Sequence, residues 1–191
     1  MRSKINQVFN SERFAYSSNN SPKIFVVDYT ERTASARSVE VHSTKPNDID
    51  ALIIKNPTEI NISTSIFMPQ CFIDENGKEP KQCECVMNPA NSQPDTWILF
   101  IEIKDCKPSN ASNYHKECKE KILENVQLFR DKNIIPVDKI VYAVVSFPRK
   151  EKTNYHNQFI KPPEQKQMRD KYKIMIKGTN EITVKNDRTI I

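Results

Sequence analysis

The chain has only two glycines in 191 residues, Gly77 and Gly178. A dinucleotide-binding fingerprint needs three glycines close together, and a P-loop needs two with a lysine after the second. A nucleophile elbow needs two glycines flanking a serine. None of these can be built, so Rossmann enzymes, P-loop NTPases and α/β-hydrolases are excluded. Three histidines, His42, His115 and His156, are too far apart for an HExxH zinc site. No apolar run approaches the ~18 residues of a membrane helix. The polar first 20 residues lack the apolar stretch of a secretory signal. A cytoplasmic protein with no membrane association is expected.

What is present is an ordinary globular composition, 37% hydrophobic and 28% charged. Such a length suits one domain without a stabilising metal or disulfide. Five cysteines, without an export signal, read as reduced thiols. Cys83-x-Cys85 and His115-x-x-Cys118 resemble zinc pairs, although one residue between cysteines is tighter than the usual two to four. The alternative is small buried side chains on strands and a helix.

Charge is uneven. Between 149 and 177 stand nine basic residues, among them Arg149, Lys150, Lys166, Arg169 and Lys171, against three acids. This stretch accounts for the whole +5 of the chain. It is either a polyanion-binding surface or a solvated tail.

The pattern along the chain predicts a weak helix over 1–14, a loop over 17–22, and strands over 23–29, 49–55 and 60–67. A short strand over 82–87 and a turn over 88–94 follow. The run TWILFIEIK over 96–104 is apolar on both faces at its start, which places it centrally in a sheet. Tyr114, Cys118, Ile122, Val126 and Phe129 recur at helical spacing, with Glu117 and Lys121 paired on the other face and Ser109 or Ser112 as N-cap. A buried strand over 140–147 closes the unit. Strand–helix–strand makes the flanking strands parallel, and the hairpin before the helix makes its strands antiparallel. The organisation expected is an N-terminal helical arm (1–22), a core (23–148) and a basic segment (149–191) packed on or extending that core.

Glu102 and Lys104 are two apart at the end of the most apolar strand, so both project from one face of the sheet. Burying such a pair is costly unless they pair or bind something, which makes them candidate active-site residues; otherwise the strand simply emerges into solvent. Asp95 lies seven residues of strand from Glu102, ~23 Å at ~3.3 Å per residue, too far to share a metal. Glu84 is better placed. A hairpin turning near residue 92 or 93 sets it opposite 100–102, on a strand ~4.8 Å away.

Glu84, the triplet Glu102-Ile103-Lys104, the amphipathic helix and the strand over 140–147 together resemble the PD-(D/E)xK nuclease superfamily, and within it small restriction-endonuclease-like proteins. The resemblance covers roughly 50–148. It implies an α/β fold with a restriction-endonuclease-like core, a small mixed β-sheet flanked by helices in the order αβββαβ. It implies a divalent-metal-dependent nuclease hydrolysing phosphodiester bonds, expected in DNA. Glu84, standing where the superfamily usually has Asp, and Glu102 would hold Mg²⁺ or Mn²⁺ together with the backbone carbonyl of Ile103. Lys104 would position the attacking water and stabilise developing charge. Arg149, Lys150, Lys166, Arg169 and Lys171 would contact nucleic acid. A homodimer, or a partner protein in a defence or mobile-element system, is expected by analogy. Gln127, His115 and Lys119 are auxiliary candidates. Two other readings stand beside it: a nuclease fold that binds nucleic acid or a protein partner without chemistry, and a small zinc domain built on Cys83, Cys85, Cys118 and His115.

Overall fold

In the computed structural model, residues 1–30, 39–73, 76–91, 93–150 and 155–191 are described. The N-terminal helix α1 spans Arg2–Val8, followed by strands β1 (Phe14–Asn19), β2 (Lys23–Asp28), β3 (Val39–His42), β4 (Leu52–Lys55), β5 (Ile62–Phe67), β6 (Cys85–Pro89) and β7 (Leu99–Ile103). Then come α2 (Ala111–Asp131), β8 (Val141–Ser146), α3 (His156–Phe159), α4 (Pro162–Tyr172), β9 (Ile174–Gly178) and β10 (Glu181–Thr183).

Strand alternation divides the interior into two cores. On β7, Phe100 enters one hydrophobic cluster, while Leu99, Ile101 and Ile103 enter the other. The first core lies between the six-stranded sheet β1-β5-β6-β7-β8-β9 and the helices, where α2 contributes Cys118, Ile122, Val126 and Phe129. The second lies between that sheet and a four-stranded sheet, β10-β4-β2-β3, which contributes Ile24, Val26, Leu52, Ile54 and Ile182. Both sheets are mixed, so the α/β class expected from the sequence holds. The sheet is larger than expected, however, and it is not flanked by helices on both faces. Ile5 of α1, Phe159 of α3 and Met168 of α4 join α2 on the same side, and the other face is covered by the second sheet. The apolar faces of β2 and β4 need a partner, and the central sheet is the surface that buries them.

Strand β5 is antiparallel to β6, β6 to β7, and β7 parallel to β8, with α2 as the crossover. β9 is parallel to β8 and adds a further strand through α3 and α4. Gly178 ends β9 against α3, where an added β-carbon would sit 2.5 Å from Cβ of Phe159.

Two expectations about the N-terminal end are corrected. The loop expected over 17–22 begins inside a strand, because β1 pairs with β5 from Phe14↔Phe67 to Asn19↔Ile62. Nor are the first 22 residues a helical arm: only Arg2–Val8 is α-helix, Phe14–Asn19 is strand β1, and Ile5 is fully buried in the first core. The edge position of β1 explains its polar sequence, for one side of an edge strand meets water. Of the segment after 149, α4 packs on β9, while β9 and β10 complete the two sheets, so it extends both.

Candidate active site

The two acids singled out from the sequence are backbone neighbours at one end of the central hairpin. Cys85 pairs with Ile101 and Val86 with Phe100. The Glu84 amide donates to the Ile101 carbonyl at 2.8 Å, and the Glu84 carbonyl accepts from the Phe67 amide at 3.0 Å. Glu84 is thus held between β5 and β7, next to the strand residue Glu102. Glu84 and Cys85 both face Ile101, the two-against-one arrangement of a β-bulge, a device that re-aims side chains at sheet rims. Both Glu84 and Glu102 are buried. Asp95 lies in the turn at the other end of β7, bonded to Arg188 at 2.8 Å, which separates it from Glu102 as the strand-length argument expects.

Glu102 follows Phe100 on the helix face. Its Oε1 accepts from Lys121 Nζ at 2.7 Å and from the Cys118 thiol at 3.8 Å, both on α2. Burial, reinforced by the Glu102 charge, raises the Cys118 pKa far above the ordinary thiol value, so this thiol stays protonated. Lys104 is half-buried at the strand end. Its amide continues the parallel ladder to the Ser146 carbonyl at 2.9 Å, and its ammonium lies 4.9 Å from the Tyr114 ring centre. Glu102 and Lys104 therefore both meet α2, on one side of the sheet, as their two-residue spacing requires.

Lys121 and Asn125 were not singled out from the sequence for this site. Lys121 contacts Glu117 only at 3.9 Å, so the pairing expected on the other face of the helix gives way to the shorter bond to Glu102. The reason is Coulombic: a fully buried carboxylate attracts the nearest ammonium far more strongly than an exposed one. The signal for Lys121 was its position, seven residues after Tyr114 and so on the same face of α2. Asn125, fully buried, accepts from the Cys83 amide at 3.0 Å and donates to the Lys81 carbonyl. It ties the segment entering Glu84 to α2. A polar residue amid Ile122, Val126 and Phe129 was the clue. The N-cap position of α2 is Asn110 rather than Ser109 or Ser112, and it makes no side-chain cap bond.

The auxiliary candidates divide. Gln127 is an exposed amide bonded to Asp131 at 2.8 Å. Lys119 is bonded to Glu164 of α4 at 2.7 Å, joining the two helices. His115 packs against Phe147 and Phe159, with ring centres 5.4 and 5.3 Å away. Burial, together with Lys150 and Lys119, pushes its pKa below the usual histidine value.

The basic residues also separate. Because β7 and β8 are parallel, they end on one edge, and Arg149 Nε lies 3.8 Å from the buried Asp105 just past Lys104. Lys150 lies 4.8 Å from the Tyr155 ring centre. Lys166, Arg169 and Lys171 lie on α4, where Arg169 bonds Asp170 at 2.9 Å and Lys171 covers Tyr172. Lys166 and Arg169 border a space that opens beside the starts of β7, β8 and β9, at the other end of the strands from Lys104.

The zinc arrangement is not formed. Cys83 belongs to the helix-side core and Cys85 to the sheet-side core, so the pair is split by the sheet. Among the described residues, no group of three or more His, Cys, Asp or Glu side chains is placed to hold a metal ion. The chain matches no protein-family model, no curated protein and no solved structure.

Proposed function

We propose that this protein is a divalent-metal-dependent nuclease of the PD-(D/E)xK type, acting on DNA. The observation that carries the reading is the backbone position of Glu84, which immediately precedes β6 and bonds to the Ile101 carbonyl next to Glu102 on β7, with Lys104 two residues beyond Glu102. The order β5-β6-β7-α2-β8, with β5, β6 and β7 antiparallel and β7 parallel to β8, supports the restriction-endonuclease-like core.

The donor chemistry fits the ion. Two carboxylates and the Ile103 carbonyl are all oxygen donors, the set that Mg²⁺ or Mn²⁺ prefers. When bound, such an ion would polarise the phosphate and acidify its water. The chain's own residues would do the rest. Lys104, a compact ammonium, would face the phosphate where charge develops. Lys121 would compensate the buried Glu102 charge. Arg149 and Lys150, on the same edge as Lys104, would hold the phosphate backbone.

One observation favours the alternative, a nuclease fold that binds nucleic acid or a protein without cleaving. The Lys121 ammonium sits against Glu102 Oε1 at 2.7 Å, where a metal ligand would need that oxygen. Incubation of plasmid with the wild type in Mg²⁺ or Mn²⁺, beside Glu102→Gln and Lys104→Ala, separates the two. Nicking or degradation by the wild type alone supports the nuclease. Binding of duplex without cleavage by any of the three supports the binding module.

A further inference from the structure

At the far end of the strands from Glu102 and Lys104 is a cavity of about 420 Å³. That volume is within the range of small-molecule sites, roughly 300–1,000 Å³. Its walls are apolar: Leu99, Val144, Ile176, Ile182 and Ile190 line it, all buried. Met175 and Ile191 lie at its border and are 42% and 52% exposed, large apolar surfaces left in water. The charged residues lining the border are all basic, with Asp170 behind them bonded to Arg169 Nε at 2.9 Å. Lys166, Arg169 and Lys177 line the border, and among the described residues no aspartate or glutamate does. Pro162, Gln165, Lys166 and Arg169 fall at helical steps of three, one and three, so one face of α4 forms this side.

An apolar chamber with cations on one border selects a molecule with the complementary division. We propose that this cavity, at the β9 edge of the central sheet, binds a small amphipathic carboxylate, its apolar body along Leu99, Val144 and Ile182 and its carboxylate at Lys166 and Arg169. Arginine matches a carboxylate with two parallel hydrogen bonds, and the neighbouring ammonium adds charge. A polyanion would use the cations but leave the apolar walls uncovered, whereas an amphiphile uses both. The lining residue Val144 pairs with Ile101, three residues or ~10 Å of strand from Lys104, and it faces the second core while Glu102 faces α2, so the cavity is distinct from the candidate active site and does not depend on the nuclease reading.

The experiment is calorimetric titration of the full chain with decanoate, below its micelle concentration, and with decyltrimethylammonium, which has the same length of tail and the opposite charge. Decanoate should bind saturably, one per chain, and at least tenfold more tightly than the cation. Lys166→Ala with Arg169→Ala should weaken decanoate about tenfold or more, the loss expected for hydrogen bonds to a charged group. Met175→Trp, an exposed position that leaves the cores untouched, should obstruct the mouth and abolish binding. Circular dichroism checks that each variant is folded. Equal affinity for both head groups, unsaturable uptake, or wild-type affinity in the folded variants overturns the proposal. So does a wild type that ignores decanoate while the Lys166, Arg169 variant loses duplex DNA, which would make this helix face a nucleic-acid surface.

Discussion

Lys121 reaches from the middle of α2 to within 2.7 Å of Glu102 on β7, joining a partly buried ammonium to a carboxylate with no exposed surface. A buried pair of this kind adds little net stability, but removing one partner leaves an uncompensated charge. Lys121→Met should therefore destabilise the fold by about 3–5 kcal/mol in urea denaturation. Glu102→Gln combined with Lys121→Met should recover much of that loss. If the single and double variants unfold at the same denaturant concentration, the pair is not coupled.

Lys104 separates catalysis from binding. If it stabilises charge in the transition state, Lys104→Ala should reduce plasmid cleavage by ~10²–10³ while duplex affinity stays near that of the wild type. Lys104→Arg should not restore the rate, because a planar guanidinium replaces a compact ammonium. Cleavage by Lys104→Ala at the wild-type rate would return the residue to an ordinary strand end against Tyr114.

The division of the basic residues predicts unequal roles in DNA binding. The salt dependence of duplex binding should become shallower by about 0.9 in log–log slope for each phosphate that is no longer neutralised. Arg149→Ala with Lys150→Ala, next to Lys104, should lower the slope more than the triple change of Lys166, Arg169 and Lys171 to Ala. A larger effect from the triple variant would place the duplex along α4 instead.

His115 should make stability depend on mild acid. Its Nε2 is buried without a hydrogen-bond partner among the described residues, and its pKa is lowered chiefly by burial, then by Lys150 and Lys119. The unfolded chain, with a histidine pKa of about 6.5, takes up a proton before the folded one does. Its contribution is therefore fully present above about pH 6.5 and declines as pH falls below that value toward the lower folded pKa. Urea denaturation at pH 7.5 and 5.5 should show a larger loss for the wild type than for His115→Gln. Equal losses would mean that His115 is not the group responsible.

The hairpin, helix and strand that build the candidate site were legible because their signals are local. Apolar residues at every position of β7 but Glu102 marked a central strand, steps of four and three marked α2, and the short loop before β7 set its direction and its register near Glu84. Other features depend on partners far away in sequence. β1 reads as polar loop until β5 supplies its hydrogen bonds, and no period in the sequence shows that pairing. The four-stranded sheet exists because the apolar faces of β2, β4 and β10 meet the second face of the central sheet. Lys121 turns to Glu102 rather than to Glu117 because burial of Glu102 strengthens one charge interaction over the other. Local periodicity and spacing determined which residues form the site's strands and helix. Only tertiary structure decided what those strands pair with, which face each core covers, and where each basic residue ends up, because these rest on long-range hydrogen bonds and on desolvation.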